Sequence, residues 1–170
     1  MGRTGQLFAH QWAENAEPDI MAIAKGVGGG FPFGACLMTD KVGQAMQPGS
    51  HGSTYGGNPL AMAVGNAVWD IVSDKAFLSQ ICKRGETLQN ELRTVAAAFP
   101  NKIKGVTGKG LLMGLQMQEL PKPFQIALRN NKLLVGVAGN NVLRVVPPLN
   151  VKAREIHEAT ETMIAVLNEM

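Results

Sequence analysis

The sequence has few of the residues that build disulfide frameworks, metal sites and membrane spans. Its two cysteines, Cys36 and Cys82, lack the close spacing and the neighbouring histidine of a zinc site. We expect both to be reduced, buried thiols of a cytoplasmic protein, with no disulfide and no bound metal. No apolar stretch approaches the roughly 20 residues that span a membrane. Residues 1–6 also lack the apolar region of a signal peptide, so we expect no membrane association.

Charged residues make up 17% of the chain, which is ordinary for a globular protein, and those of one sign form no run or stripe. The 16 lysines and arginines and the 13 acidic residues leave a net charge of +3, scattered along the sequence. Because nucleic-acid binding needs a concentrated basic surface, we expect no nucleic-acid partner. The 45% of hydrophobic residues is ordinary for a globular protein, and a chain of this length buries about 70% of its unfolded surface.

Glycine, by contrast, is abundant. The chain contains 20 glycines, well above the usual share of about 7%, and most of them fall into three clusters. The clusters are Gly26, Gly28, Gly29 and Gly30; Gly49, Gly52, Gly56 and Gly57; and Gly105, Gly108, Gly110 and Gly114. Clustered glycines in a globular chain indicate tight loops, where the backbone comes close to other backbone or to a ligand.

Hydrophobic periodicity predicts an α/β chain. Strands are predicted at residues 20–24, 35–39, 110–117, 133–137 and 142–146, and helices at residues 60–72, 78–99, 123–130 and 151–167. The run at 20–24 is continuously apolar, as in a buried strand of a parallel or mixed sheet. The first part of the chain holds too few strands for a complete α/β sheet, so we expect it to be part of something larger.

Lys25 is the first candidate for chemistry, because it lies between the apolar run 20–24 and the first glycine cluster. Sheets of this type bind ligands at the ends of their strands. A lysine in partly apolar surroundings loses its proton more easily, and its free amine can form a Schiff base. A solvated lysine at a strand end is the simpler alternative. A P-loop and a dinucleotide fingerprint are disfavoured, because Lys25 precedes the glycines and no G-x-G-x-x-G opens a helix.

Two further candidates lie in a loop and in a strand. Ser53 and Thr54 precede a predicted helix, and could donate to phosphate oxygens because a helix N-terminus attracts anions. A loop capped by Asn58, with incidental hydroxyls, is the alternative. Arg144 interrupts the apolar strand at residues 142–146. Because successive side chains of a strand point to opposite faces, Arg144 either faces solvent or presents its guanidinium to a carboxylate.

Taken together, three segments resemble the class III aminotransferases, which depend on pyridoxal phosphate. Residues 19–32 are similar to the cofactor-lysine segment of that family. Residues 51–59 resemble the phosphate-contacting loop of its acetylornithine and ornithine branch, and residues 144–149 resemble the substrate-carboxylate strand of that branch. Residues 1–5 match the loop that follows the family's Asp-Glu-Val-Gln strand. The resemblance covers essentially the whole chain, in order.

The resemblance implies the C-terminal part of a pyridoxal-phosphate-dependent transferase of fold type I, an α/β fold. Residues 1–90 would be part of the large cofactor-binding domain, with part of its mixed sheet, the cofactor lysine and the start of the interdomain helix. Residues 91–170 would be the small C-terminal α+β domain. The resemblance also implies a homodimer with shared active sites. The family's aspartate that pairs with the pyridine nitrogen has no counterpart in these residues, so we expect the isolated chain to be inactive.

The resemblance also implies a role for each candidate residue. It makes Lys25 the lysine that binds pyridoxal phosphate as a Schiff base, and the general base and acid of the proton shift. It places Thr54, with Ser53 beside it, at the cofactor phosphate, across the dimer interface. It pairs Arg144 with the substrate α-carboxylate. No residue is expected to bind a metal.

The implied reaction transfers the amino group of N2-acetylornithine to 2-oxoglutarate, a step of arginine biosynthesis. Ornithine, succinylornithine and 4-aminobutyrate stay open as alternative amino donors, because the residues that choose among them lie largely outside this sequence. An alternative of a different class is a non-catalytic, truncated remnant that survives as an interaction module.

Overall fold

The structure is a computed structural model that describes all residues of the chain, Met1–Met170. The strands are β1 (Ile20–Ile23), β2 (Ala35–Met38), β3 (Ile103–Lys109), β4 (Leu112–Met117), β5 (Gly136–Ala138) and β6 (Val142–Val145). The α helices are α1 (Asp40–Gly43), α2 (Pro59–Val72), α3 (Lys75–Ala98), α4 (Lys122–Asn130) and α5 (Ala153–Glu169), and two 3₁₀ helices lie at Ala9–Trp12 and Lys25–Gly28.

The chain divides into two compact units. Unit 1 comprises Met1–Gly2 and Gln6–Leu78, and unit 2 comprises Arg3–Gly5 and Ser79–Met170. The division after Leu78 lies within α3, and so does the boundary that the sequence predicts after residue 90. The boundary between a large and a small domain at residue 90 stays a prediction.

Unit 1 contains a two-stranded antiparallel sheet, in which Ile20 of β1 lies opposite Met38 of β2. Both strands form where the sequence predicts them, but the expected burial of β1 is wrong for this chain. Ile20 is 57% exposed, because two strands alone leave both faces of their sheet uncovered. The expectation of two buried thiols is also wrong: Cys36, on β2, is exposed and Cys82 is only partly buried, and both are free.

Helix α2 begins where the capping residues predict. Asn58 Oδ1 accepts a hydrogen bond from the backbone N–H of Ala61 (2.9 Å). Pro59 occupies the first helical position. Proline suits this position because a backbone N–H there would have no partner within the helix. The helix buries Ala61 and Val72 and contacts the 3₁₀ helix Lys25–Gly28. The predicted helix therefore packs against the first glycine cluster.

Unit 2 combines a four-stranded antiparallel sheet, in the order β3-β4-β6-β5, with three helices. Side chains along β4 and β6 alternate between a buried face and an open face. The buried face consists of Met113, Leu115, Met117, Leu143 and Val145. Because one face of the sheet is buried and the other is open, unit 2 has the two-layer α+β arrangement that the sequence predicts.

The helices of unit 2 contribute most of the remaining core. Their buried apolar residues are Ile81, Leu88, Leu92 and Val95 of α3, Phe124 and Leu128 of α4, and Ile156, Met163, Val166 and Leu167 of α5. The helix predicted at residues 78–99 is thus confirmed. Thr160 Oγ1 donates a hydrogen bond to Glu91 Oε2 (3.0 Å), which joins α5 to α3. No helix in the chain combines the length and the apolar character needed to cross a membrane.

Two strands of unit 2 differ most from the prediction. β3 is not predicted, because glycines and lysines interrupt its alternation and a bulge after Ile103 shifts its register; as an edge strand it needs little apolar character. β5 begins three residues later than predicted. The N–H of Leu133 bonds to Leu128 O at the end of α4 (2.9 Å), and Gln125 donates to Val135 O (2.9 Å). Residues 133–135 are therefore held by α4, not by the sheet.

Candidate active site

Lys25 lies two residues after the end of β1, and its backbone is left-handed, with φ of 57°. For a residue with a side chain this conformation costs on the order of 1–2 kcal/mol. The side chain is exposed and forms no hydrogen bond or ion pair within the chain. Residues in sparsely populated backbone conformations cluster at active sites, so the left-handed backbone makes Lys25 a candidate functional residue.

The loop around Lys25 is held in place by α2. The 3₁₀ helix Lys25–Gly28 buries Val27 and ends at Gly29, which is also left-handed (φ 55°). A Cβ at Gly29 would lie 2.8 Å from Cγ2 of Val68 on α2, so a glycine is needed for the loop to approach the helix this closely. The position of Lys25 thus depends on packing against α2.

The loop before α2 presents two free hydroxyls. Ser53 and Thr54 are exposed, and neither side chain forms a hydrogen bond within the chain. The turn that follows is closed by a bond from Gly56 N–H to Ser53 O (3.3 Å), and the cap residue Asn58 donates from Nδ2 to Tyr55 O (2.9 Å). Free hydroxyls just ahead of a helix N-terminus suit an anion such as phosphate.

Arg144 lies on β6, the inner strand of the unit 2 sheet between β4 and β5. It is paired in register with Gly114 of β4 and Gly136 of β5. Its side chain is exposed on the open face and forms no hydrogen bond or ion pair within the chain. Because both flanking residues are glycines, no side chain in that row covers the guanidinium. Such a guanidinium can receive a carboxylate through two parallel hydrogen bonds.

The predicted site residues are divided between the two units. Lys25, Ser53 and Thr54 belong to unit 1, and Arg144 belongs to unit 2. Within unit 1, no hydrogen bond or ion pair joins Lys25 to Ser53 or Thr54. Each is individually free to contact a ligand, and their membership of one site stays a prediction.

Arg3 is a residue that the sequence analysis does not single out. Its Nη1 donates to Leu111 O (3.4 Å) and to Pro147 O, so it links the start of β4 to the segment that follows β6. Burial lowers the pKa of the Arg3 guanidinium below its ordinary value. No local signal could have revealed this role, because the two partners lie 108 and 144 residues away in sequence.

Gly136 is also not predicted as a functional residue, although the sequence contains a signal for its position beside Arg144. The turn between β5 and β6 contains two left-handed asparagines, Asn140 and Asn141 (φ 57° each). This turn sets Ala138 opposite Val142 and therefore Gly136 opposite Arg144. Because the turn fixes the register of a hairpin, counting outward from it identifies the glycine beside the candidate arginine.

The donor groups suit the cofactor that the resemblance implies. Pyridoxal phosphate carries an aldehyde and a phosphate. Lys25 offers an unpaired primary amine for the aldehyde, and Ser53 and Thr54 offer hydroxyl donors for the phosphate. By the chemistry of the donors, these residues fit that cofactor.

Comparisons with known proteins identify the family of the chain. The Aminotransferase class-III family matches residues 1–167. An acetylornithine aminotransferase of Mesorhizobium japonicum is 50% identical over 159 residues, which is 94% of this chain and 40% of that protein. The mitochondrial acetylornithine aminotransferase of Saccharomyces cerevisiae is 42% identical over 162 residues, 95% of this chain and 38% of that protein. The chain thus spans about two fifths of the length of these relatives.

Solved structures share the fold. The acetylornithine aminotransferase of Elizabethkingia anophelis matches 99% of this chain and 43% of its own, with a TM-score of 0.88 and 31% identity. The ornithine aminotransferase of Plasmodium yoelii matches 99% of this chain and 45% of its own, with a TM-score of 0.87 and 28% identity. The predicted α/β fold class is confirmed. The chain therefore belongs to the class III aminotransferases, a family that depends on pyridoxal phosphate.

Proposed function

We propose that this chain supplies part of an aminotransferase that moves the amino group of N2-acetylornithine to 2-oxoglutarate. The observation that carries the proposal is the left-handed Lys25 (φ 57°), whose amine is unpaired at the end of β1. Strained residues persist where the surrounding structure holds them in place, and they cluster at active sites. Membership in the class III family supports the same type of reaction.

Lys25 has two tasks in the proposed reaction. Its Nζ would hold the cofactor through the aldehyde carbon. As a free amine, the same group would take a proton from the reacting carbon of the substrate and later return one, as a general base and acid. Pyridoxal phosphate, when bound, supplies the electron sink for this chemistry. Because Lys25 is exposed and has no partner within the chain, its amine is available for both tasks.

Ser53 and Thr54 are proposed to bind the phosphate of the cofactor, across the interface of a homodimer. The free hydroxyls of the exposed loop before α2 support this role. The apolar surface of α2 supports the dimer, since Leu60 is 61% and Ile71 57% exposed. Apolar side chains exposed to this degree along one helix are typical of a surface that further protein covers, and a second copy of the chain is the occupant proposed here.

Arg144 is proposed to bind the α-carboxylate of the substrate. N2-acetylornithine and 2-oxoglutarate both carry a carboxylate next to the reacting carbon, so one arginine can serve both halves of the transfer. The exposed, unpaired guanidinium between two glycines supports this role. Arginine suits it better than lysine, because its planar fork matches the two carboxylate oxygens.

The choice of N2-acetylornithine as the amino donor is supported by the relatives. Those at 42–50% identity carry the name acetylornithine aminotransferase. We therefore also propose a role in arginine biosynthesis. A cytoplasmic location is proposed because the two cysteines are free, as is usual in a reducing compartment.

Borohydride trapping tests the role of Lys25. When the protein that carries this chain is incubated with pyridoxal phosphate and reduced, peptide mapping should find the cofactor on Lys25. Lys25→Ala should lose both the label and the turnover. Lys41→Ala, which removes another exposed lysine of unit 1, should keep both. A label on a different lysine would contradict the assignment.

Two further outcomes would change the proposal. A non-catalytic remnant would show no cofactor absorbance after addition of pyridoxal phosphate, and no lysine labelled above background. If the enzyme is active, kcat/KM for N2-acetylornithine, ornithine, succinylornithine and 4-aminobutyrate decides the amino donor. A higher kcat/KM for ornithine would move the assignment to that substrate.

A further inference from the structure

The open face of unit 2 contains a glycine whose empty side-chain space is used by Arg144. A Cβ at Gly136 would lie 3.1 Å from Nε, 3.3 Å from Nη2 and 3.5 Å from Cβ of Arg144. These are the three nearest atoms, and all belong to Arg144. The guanidinium edge formed by Nε and Nη2 therefore lies beside the β5 backbone, where a side chain of residue 136 would be.

Arg144 does not explain why glycine occupies the neighbouring positions. A Cβ at Gly114, on the opposite flank of Arg144, would collide with Val142 Cγ1, so that glycine is needed for packing on its own side. A Cβ at Gly139 would meet nothing within 4 Å. Neither Gly136 nor Gly139 has a positive φ. Backbone conformation therefore does not explain Gly136, and Arg144 does.

We propose that Gly136 is a positioning residue for Arg144. The missing side chain lets the guanidinium rest against β5 and keep one orientation, although no acidic residue holds it there. A carboxylate bound through two hydrogen bonds must lie in register with the guanidinium fork, so a small displacement of the fork weakens both bonds. The inference rests on the proposed role of Arg144 in binding the substrate carboxylate.

The positioning is tested first without substrate or turnover, by NMR of the Arg144 Nε–Hε group in the protein that carries this chain. Its heteronuclear NOE, which reports restricted motion, should fall in Gly136→Val and fall less in Gly136→Ala. Gly139→Ala, a matched change in the adjoining turn, should leave it unaltered. Gly136→Ala should also leave the melting temperature unchanged or raise it, because the residue has an ordinary φ. An unaltered NOE in both Gly136 variants would overturn the proposal.

The consequence for recognition is tested with 2-oxoglutarate as the probe, followed through the backbone amides of Leu143 and Val145. Gly136→Val should weaken binding roughly tenfold, the loss expected for one charge-assisted hydrogen bond. Gly139→Ala should not weaken it. In an Arg144→Lys background, Gly136→Val should cause no further loss, because lysine has no fork to orient. An equal loss in that background would show general damage to the sheet and would overturn the proposal.

The two measurements separate this inference from the proposed function. If Arg144 of the unmodified protein does not respond to 2-oxoglutarate, its carboxylate-binding role fails, and the part of this inference that concerns recognition fails with it. If Arg144 responds but the Gly136 variants bind as tightly as the unmodified protein, the proposed function stands and the inference about Gly136 fails.

Discussion

Unit 1 and unit 2 differ sharply in how much apolar surface they bury. Of the 21 buried apolar residues, only Val27, Ala61 and Val72 lie in unit 1, and the other eighteen lie in unit 2. Unit 1 also exposes large apolar side chains, with Tyr55 at 82% and Leu60 at 61%. Regular helices and strands therefore form in both units, but only unit 2 encloses a core of its own.

The difference follows from the number of layers in each unit. Two antiparallel strands cannot bury a face without a further layer, whereas four strands backed by three helices can. The proposed functional residues follow the same division. Lys25, Ser53 and Thr54 lie in the poorly buried unit 1, and Arg144 lies on the well-packed sheet of unit 2. Four experiments test this contrast, beginning with the largest expected effect.

Limited proteolysis of the chain should separate the two units most strongly. Cleavage should occur first within residues 40–58, which are largely exposed. A resistant fragment should remain that begins between residues 75 and 100, because its backbone belongs to a closed core. Mass spectrometry of the time course identifies both products. Equal resistance along the whole chain would show that the contrast in burial does not govern local stability.

Phe124→Ala should destabilise unit 2 by about 3–5 kcal/mol, because it leaves a cavity in a closed core. Phe124 is 2% exposed, whereas Leu120, four residues earlier, is 74% exposed. The matched change Leu120→Ala should therefore alter the free energy of unfolding by less than about 0.5 kcal/mol. Urea denaturation followed by circular dichroism measures both. Similar losses in the two variants would contradict the assigned core.

Arg3→Ala should destabilise unit 2 by about 1–3 kcal/mol, because it removes a charged donor shared by two partly buried carbonyl groups. Arg3→Lys should recover part of this loss, since it keeps the charge but not the fork. Arg93→Ala, on the exposed side of α3, serves as the control. If Arg3→Ala and Arg93→Ala unfold at the same urea concentration, Arg3 does not stabilise unit 2.

Lys25→Gly should stabilise the loop after β1 by about 1 kcal/mol, because glycine adopts a positive φ without steric cost. Lys25→Ala should give no such gain, since alanine keeps the Cβ that causes the strain. Both variants lose the amine, so the comparison isolates the effect of the Cβ on the backbone. Hydrogen exchange of the amides of residues 26–30 measures the effect. Slower exchange in Lys25→Ala than in Lys25→Gly would argue against strain at this position.

The sequence predicts much of the fold where the signal is local. The cap at Asn58 and the helix at residues 78–99 depend on residues within a few positions of each other, and both are confirmed. β3 is missed because it is an edge strand with glycines and lysines in its pattern. The burial of β1 is predicted wrongly because an apolar run shows what a strand could bury, not whether a layer covers it.

The sequence predicts less of the candidate site than of the fold. The order of the segments around Lys25, Thr54 and Arg144 indicates the family, and the family is confirmed. The residues that orient these side chains are not predicted. Val68 limits how the loop after Lys25 approaches α2, and Gly136 makes room for Arg144, but each lies in a different element from the residue it affects.

The sequence by itself determined the four longer helices, most of the strands, the cap of α2 and the family, because these depend on periodicity and on motifs read within short segments. The tertiary structure alone decided the left-handed backbone of Lys25, the link from Arg3 to Pro147, and the exposure of Ile20. The physical reason is distance along the chain. Packing and hydrogen bonds between residues that lie far apart in sequence arise only when the elements meet, and no local pattern encodes them.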